Sequence, residues 1–204
     1  MNAVLLLLAM AIPCSAAEGL VFEQETTTND GARRSTIRVQ GHKVRLDFGN
    51  GSSALVDTDT KRVTMLFYHD AFAVESQGDE ALRKAAELVQ TGYSPPRMAP
   101  KISSEKIDGH ECRVSDWQWG VWHTAIWVAP DFPKAEQMAK YAEVLNLFHC
   151  YCLAGLSSSG VAMKTISGPK DAPRTVKLIA ARIEELPAEV FEIPPGMTRR
   201  KKNP

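Results

Sequence analysis

Hydrophobic and polar residues alternate with period two through the first third of the chain. Ile37 and Val39 alternate with Thr36, Arg38 and Gln40, and Val44, Leu46 and Phe48 alternate with Lys43, Arg45 and Asp47. Val63, Met65 and Phe67 repeat the arrangement. Asn29-Asp30-Gly31, Gln40-Gly41, Gly49-Asn50-Gly51 and Asp57-Thr58-Asp59 stand between these runs, and all are turn-forming sequences. From Leu20 to Glu75 the spacing predicts an antiparallel meander of short strands with one apolar and one wet face. The apolar face needs a second layer to pack against.

Two segments have the 3.6-residue period that could supply it. Asp79 to Thr91 spaces Leu82, Ala85, Ala86, Leu88 and Val89 as a helix and stops at Gly92, with Pro95 and Pro96 beyond. A second helix is expected from Phe132 to Leu153, with Asp131 as N-cap and Pro133 in its first turn. Its stripes, Met138-Ala142-Leu145-His149-Cys152 and Tyr141-Val144-Phe148-Tyr151, form a wide apolar face. Strand patterns return at Ile102–Ile107, His110–Trp119, Val121–Val128, Val161–Ile166 and Thr175–Ile183, with Asp108-Gly109 and Gly120 as turns. The order is strands, helix, hairpin, helix, strands. The fold class expected is α+β, one large curved antiparallel sheet with helices on one face.

The ends of the chain differ from this middle. Met1 to Ala17 contain no charged side chain: an apolar run from Ala3 to Ile12 is followed by Pro13 and small residues before Glu18. This is the layout of a secretory signal peptide with cleavage after Ala16 or Ala17, although no Lys or Arg follows Met1. An uncleaved anchor is the alternative, and Cys14 raises lipidation, for which Pro13 is a poor neighbour. The run is too short for the ~20 apolar residues of a spanning helix. Residues 18–198 read as one domain, and Arg199 to Pro204 as a basic, disordered tail. A periplasmic or secreted location follows, where disulfides persist. With 24 basic and 24 acidic residues, the chain has no overall electrostatic attraction for nucleic acid.

The chemistry-bearing residues are sparse. The sequence contains no Walker loop, dinucleotide fingerprint, His-Glu-x-x-His or Gly-x-Ser-x-Gly motif, so neither catalytic residues nor a cofactor are expected. Gly155-Leu156-Ser157-Ser158-Ser159-Gly160 reads as a connection. Beyond Cys14 the chain has Cys112, Cys150 and Cys152, which most simply form one bridge and one free thiol. On a helix Cys150 and Cys152 project about 200° apart, so the bridge expected joins Cys112 to one of them. Cys152 is favoured because it shares the core-facing stripe with Leu145 and Ala142. Closing that loop of roughly 40 residues contributes about 3–4 kcal/mol on a chain-entropy account. The competing arrangement gathers the three thiols and His110 or His149 around zinc or cuprous copper, but their strand and helix spacings diverge.

Trp117, Trp119, Trp122 and Trp127 all fall in the hairpin after Cys112, with Trp117 and Trp119 on the strand face opposite Cys112 and Val114. They are either packing residues or an aromatic mouth for a hydrophobic ligand.

Several segments also resemble a family of exported bacterial domains in the LolA-like superfamily of periplasmic lipoprotein carriers. Ile107-Asp108-Gly109-His110-Glu111-Cys112-Arg113-Val114 is similar to its glycine- and cysteine-bearing strand. Ala125-Ile126-Trp127-Val128-Ala129-Pro130-Asp131-Phe132 resembles its tryptophan strand leading into a helix. Gly160-Val161-Ala162-Met163-Lys164 and Val190-Phe191-Glu192-Ile193-Pro194-Pro195-Gly196-Met197 are similar to its later strand and its ending. The resemblance implies a half-open β-barrel with helices covering an apolar concave face, a cavity for acyl chains, and no fixed catalytic residues. Val44, Leu46, Phe48, Met65, Phe67, Trp117 and Trp119 are the ligand-lining residues expected. The function expected is a monomeric, non-enzymatic binding protein for a hydrophobic ligand or acyl chain, without a stable transmembrane anchor. An envelope interaction or sensor module with a filled core, acting on a partner protein, is the first alternative, and a Cys/His metal or thiol-redox protein using Cys112, Cys150, Cys152 and a His is the second. Thiol counting in denatured protein tests the cysteine reading. One free thiol among Cys112, Cys150 and Cys152 is the outcome a bridge predicts, whereas three with bound metal identify a ligand set.

Overall fold

The computed structural model describes residues 16–89, 98–142, 144 and 160–201, without the side chains of 86, 88 and 89. Strands dominate them: β1 (Ala17–Thr28), β2 (Gly31–Gln40), β3 (Lys43–Asp47), β4 (Ser52–Asp57), β5 (Arg62–Phe67) and β6 (Phe72–Gln77) form the expected meander. Helix α1 (Asp79–Val89) follows, then β7 (Lys101–Ile107), β8 (His110–Trp119) and β9 (Trp122–Ala129). After α2 (Ala135–Ala139) come β10 (Val161–Pro169), β11 (Arg174–Leu186), a 3-10 turn at Ala188–Phe191, and β12 (Thr198–Lys201).

All twelve strands belong to one sheet in the order β12-β6-β5-β4-β3-β2-β1-β11-β10-β9-β8-β7. Two meanders therefore meet in the middle, where β1 pairs antiparallel with β11 from Ala17 opposite Leu186 to Thr27 opposite Thr175. β7 and β12 are opposite edges, so the sheet is not closed. Local chemistry explains the tight corners. Asp108 and Gly109 take φ of 48° and 91°, the positive values that a two-residue hairpin turn requires. Gly49, at φ 71°, lies so close to the Arg34 carbonyl that a Cβ would sit 1.9 Å from its oxygen; no side chain fits there.

Period two buries one side of the central strands. Leu20 and Phe22 on β1, Ile37 and Val39 on β2, and Val44 and Leu46 on β3 are at most 1% exposed. They join one cluster that extends through Val63 on β5, Leu178 on β11 and Cys112 on β8. Ala81 and Ala85 of α1, and Met138 of α2, belong to the same cluster. The Tyr141 hydroxyl donates to the Glu18 carbonyl at 3.3 Å, tying the α2 region to β1.

The opposite side carries a second cluster that the sequence analysis does not anticipate. Leu55, Leu66 and Ala73 are buried beneath Ile193 and Met197. Arg45 fastens this C-terminal segment by donating to the Val190 carbonyl at 3.0 Å and to the Tyr68 hydroxyl at 2.7 Å. The chain then pairs β12 in parallel with β6.

Three expectations change. The described residues form a mostly strand, unclosed sheet with few helical residues, so the helical layer of the α+β expectation is only partly present among them. Lys134, not Asp131, occupies the N-cap position of the second helix, without a side-chain cap hydrogen bond, and only Ala135–Ala139 is a continuous described helix. Leu145 to Leu153 lies outside the described residues, as do Met1 to Ser15 and the 202–204 end. Arg199, Arg200 and Lys201 are exposed, but they form a strand instead of a disordered tail. Their backbone pairing with β6 is the cause, and sequence charge does not reveal it.

The buried outer cluster makes a stability prediction. Leu66→Ala is expected to lower unfolding free energy by about 2–5 kcal/mol in urea titration. Arg199→Ala, at an exposed β12 position, is expected to change it by about 0.5 kcal/mol or less.

Candidate functional site

The core side of β1 changes character along its length. Leu20 and Phe22 are apolar and buried; Gln24, Thr26 and Thr28 continue the same alternation toward the turn into β2. The paired register carries the change onto β2, where Val39 and Ile37 lie opposite Leu20 and Phe22, and Ser35 and Arg33 opposite Gln24 and Thr26. On the other side of β1, Leu178 and Val176 of β11 oppose Gln24 and Thr26. Arg174 lies two residues beyond Val176, on the same face. Antiparallel partners share a face, so the two sequences build one gradient from apolar to polar.

A cavity of about 300 Å³ lies at this change. Ile37, Leu46 and Phe48 supply its apolar wall, while Gln24, Thr26, Thr28 and Ser35 supply polar groups. Arg33 and Arg174 bring positive charge, and Asp30 and Asp47 also reach its boundary. Gln24 is only 5% exposed, so its amide belongs to the interior. Asp47 is already engaged: Arg38 donates to it, Arg45 Nε lies 2.9 Å away, and the Ser53 hydroxyl donates at 2.5 Å. These contacts offset its negative charge locally.

The ligand-lining residues expected from sequence occupy several environments. Leu46 and Phe48 reach the cavity together. Val44 is fully buried in the main cluster, and Met65 packs partly buried against it. Phe67 stacks on Phe72 with ring centroids 4.7 Å apart. Trp117 donates its Nε1 to the Met98 carbonyl at 2.9 Å, and both it and Trp119 are half-buried on β8. Trp127 is buried, donates to the Glu105 carboxylate at 2.6 Å, and has Lys164 Nζ 4.5 Å from its ring centroid. The tryptophans are thus distributed along the hairpin instead of gathering with Leu46 and Phe48.

Gln24, Thr26, Arg33 and Arg174 were not singled out by sequence. The visible signal for the first two is the parity of Leu20, Phe22, Gln24, Thr26 and Thr28. Arg174 gives no such signal, because its position follows from pairing strands about 150 residues apart.

Cys112 is a fully buried free thiol among the described residues, and its sulfur lies 3.7 Å from the His110 carbonyl oxygen. Its expected bridge partners, Cys150 and Cys152, lie outside the described residues, as do His149 and Cys14. No group of three or more His, Cys, Asp or Glu residues is arranged for metal among the described residues. Among them no helix is long and apolar enough to cross a membrane.

No protein-family model matches the chain, and no curated protein matches it in sequence. Among solved structures it is similar to PNGF-II, with TM-score 0.45 and 10% identity over 92% of this chain and 31% of that one. It is similar to LprF from Mycobacterium bovis, with TM-score 0.40, 10% identity, and 87% and 90% of the two chains covered. A third likeness is to the LolA-superfamily protein NE2245 from Nitrosomonas europaea, with TM-score 0.31, 11% identity, and 88% and 91% covered. The chain thus spans less than a third of PNGF-II.

Burial pushes the Cys112 thiol above its ordinary pKa, and the Asp131, Glu111 and Glu105 carboxylates act in the same direction against a backbone hydrogen bond at Ile107. Reduced protein is therefore expected to resist alkylation at Cys112 near neutral pH until it is denatured. Rapid labelling of the native protein contradicts this. The contribution to stability has the same sign: above about pH 8.5, the ordinary thiol value, the unfolded chain ionises first. Stability then falls as pH rises, which urea titration across that range measures.

Proposed function

We propose that the protein is a non-enzymatic, periplasmic binding protein that holds a hydrophobic or acylated ligand against the core side of its sheet. One observation carries this reading: the cavity beside the main cluster has Ile37, Leu46 and Phe48 as its apolar wall. Its volume of about 300 Å³ is at the lower end of small-ligand sites. Apolar burial would supply affinity at about 0.8 kcal/mol per methylene removed from water. Export is supported by the Met1–Ala17 pattern and by the position of β1, which begins at Ala17, beside the expected cleavage point. The lipoprotein-carrier resemblance in the second half of the chain supports the ligand class. Monomeric behaviour belongs to the same proposal.

A specific observation favours the alternative, an envelope interaction module acting on a partner protein. Leu20, Phe22, Ile37, Val39, Val44 and Leu46 are already packed at 1% exposure or less, so much of the central core side is filled. The two readings differ in what happens at Phe48, which packs only partly buried at the cavity.

The test is lipid extraction and native mass spectrometry of protein isolated from the periplasm, followed by titration with a fluorescent fatty acid. Co-purified lipid or saturable uptake is expected, and Phe48→Ala should weaken uptake about fivefold, as expected from losing a half-buried aromatic contact. Empty protein that takes up no fatty acid overturns the binding reading and leaves the filled-core module.

A further inference from the structure

We propose that the tip of the β8–β9 hairpin, with the sheet face beside it, is a docking surface for a lipid bilayer, touched reversibly and without a spanning segment. The proposal stands apart from the cavity and from the ligand reading. Among the described residues, Tyr68, Met98, Ile102, Val121 and Ile179 are the large hydrophobic side chains left exposed, and Met98, Ile102 and Val121 gather here. Val121 is 65% exposed, the most of the group. Gly120, at φ 57°, opens the two-residue turn that carries Val121 between the paired Trp119 and Trp122. The turn is also held from the side, because the Lys170 backbone N–H donates to the Val121 carbonyl at 2.7 Å.

Strand register shows what surrounds the tip. Trp119 pairs with Trp122, Trp117 with Thr124, and Ile102 of β7 with Ser115. Cross-strand partners and alternate residues share a face, so Ile102, Trp117, Trp119 and Trp122 lie on one side. Met98 adjoins them, since its carbonyl accepts the Trp117 indole N–H at 2.9 Å. The three tryptophans are half-buried, and Ile102 and Met98 are each 48% exposed. Charge is sorted between the two faces of this hairpin. Lys101 and Asp116 are partners on the other side, with His123 Nε2 3.4 Å from Asp116. On the tryptophan side of β7, β8 and β9 the charged residues are Arg113 and, at the far end, Lys106 opposite Glu111. The neighbouring turn brings Lys170 and Asp171, one charge of each sign.

An exposed apolar patch ringed by indoles and free of carboxylates matches the bilayer interface, where tryptophan rests its apolar body at headgroup level. Size separates this occupant from a protein. Met98, Ile102, Trp117, Trp119, Val121 and Trp122 are far fewer than the roughly 20–30 residues a side of a standard protein interface. A peripheral membrane contact needs only a small apolar surface, and its strength scales with the area buried.

The experiment mixes the protein with vesicles of phosphatidylcholine, alone or with phosphatidylglycerol, and follows cosedimentation and tryptophan emission. Binding to both vesicles is expected, with a blue shift and with quenching by bromine on the acyl chains. Added salt should change the affinity less than about twofold, because apolar contact carries it. Val121→Asp should weaken partition about tenfold, whereas Ile179→Thr, at an exposed β11 position outside the patch, should match wild type. Thermal unfolding confirms that each variant is folded. Fatty-acid uptake by Val121→Asp should be unchanged, so this proposal and the ligand reading fail separately. No binding to either vesicle, or binding that Val121→Asp leaves intact, overturns the proposal. Self-association that Val121→Asp abolishes, without vesicle binding, overturns it in favour of an interface between copies of this chain.

Discussion

The pairing of β1 with β11 holds the rest of the architecture in place. Each half of the chain forms a meander from local turns, but neither meander alone brings its residues to the cavity. β1 lies in the interior of the sheet between β2 and β11, and Leu20, Val21 and Phe22 are buried on both of its faces. The pairing accommodates one irregularity: β11 has an extra residue between the partners of Glu23 and Gln24. A bulge there changes the local twist of the strand just where the lining changes from apolar to polar. Gln40 strengthens the far end, donating to both the Ala17 and Leu186 carbonyls at 2.8 Å.

Local features of the fold were legible in the sequence because their causes are local. The alternation of Val44, Leu46 and Phe48 with Lys43, Arg45 and Asp47 marks both the strand and its buried side. Asp108-Gly109 marks a tight hairpin because few other pairs accept two positive φ values. The stop signals expected for the first helix, Gly92, Pro95 and Pro96, lie outside the described residues. What escaped reading depends on distant partners. Ile193 and Met197 have no period of their own, and only the apolar outer side of Leu55, Leu66 and Ala73 gives them a place to bury. β12 follows from that anchoring: a segment held against the outer side by Arg45 and these contacts is delivered to the free edge of β6.

The same distinction applies to the candidate site. Leu46 and Phe48 were recognisable as core-side residues and do meet at the cavity, whereas Trp117 and Trp119 were attractive only for their size. Phe67 finds a partner in Phe72 across its own hairpin, and Trp127 is committed to Glu105 and Lys164. The residues that give the cavity its chemical polarity come from β1, β2 and the start of β11. Their convergence turns an ordinary alternating strand into an oriented environment, apolar at one end and polar at the other. An oriented environment selects ligands by more than size, since an apolar wall alone discriminates weakly between chains.

The β1–β11 pairing places the cavity, proposed as the ligand site, between the β1–β2 hairpin and Arg174. Hydrogen–deuterium exchange with and without a saturating long-chain fatty acid tests it most directly. The account predicts that added protection concentrates in residues 24–37 and 174–178. Protection confined to other strands, or exchange unchanged by the fatty acid, contradicts it.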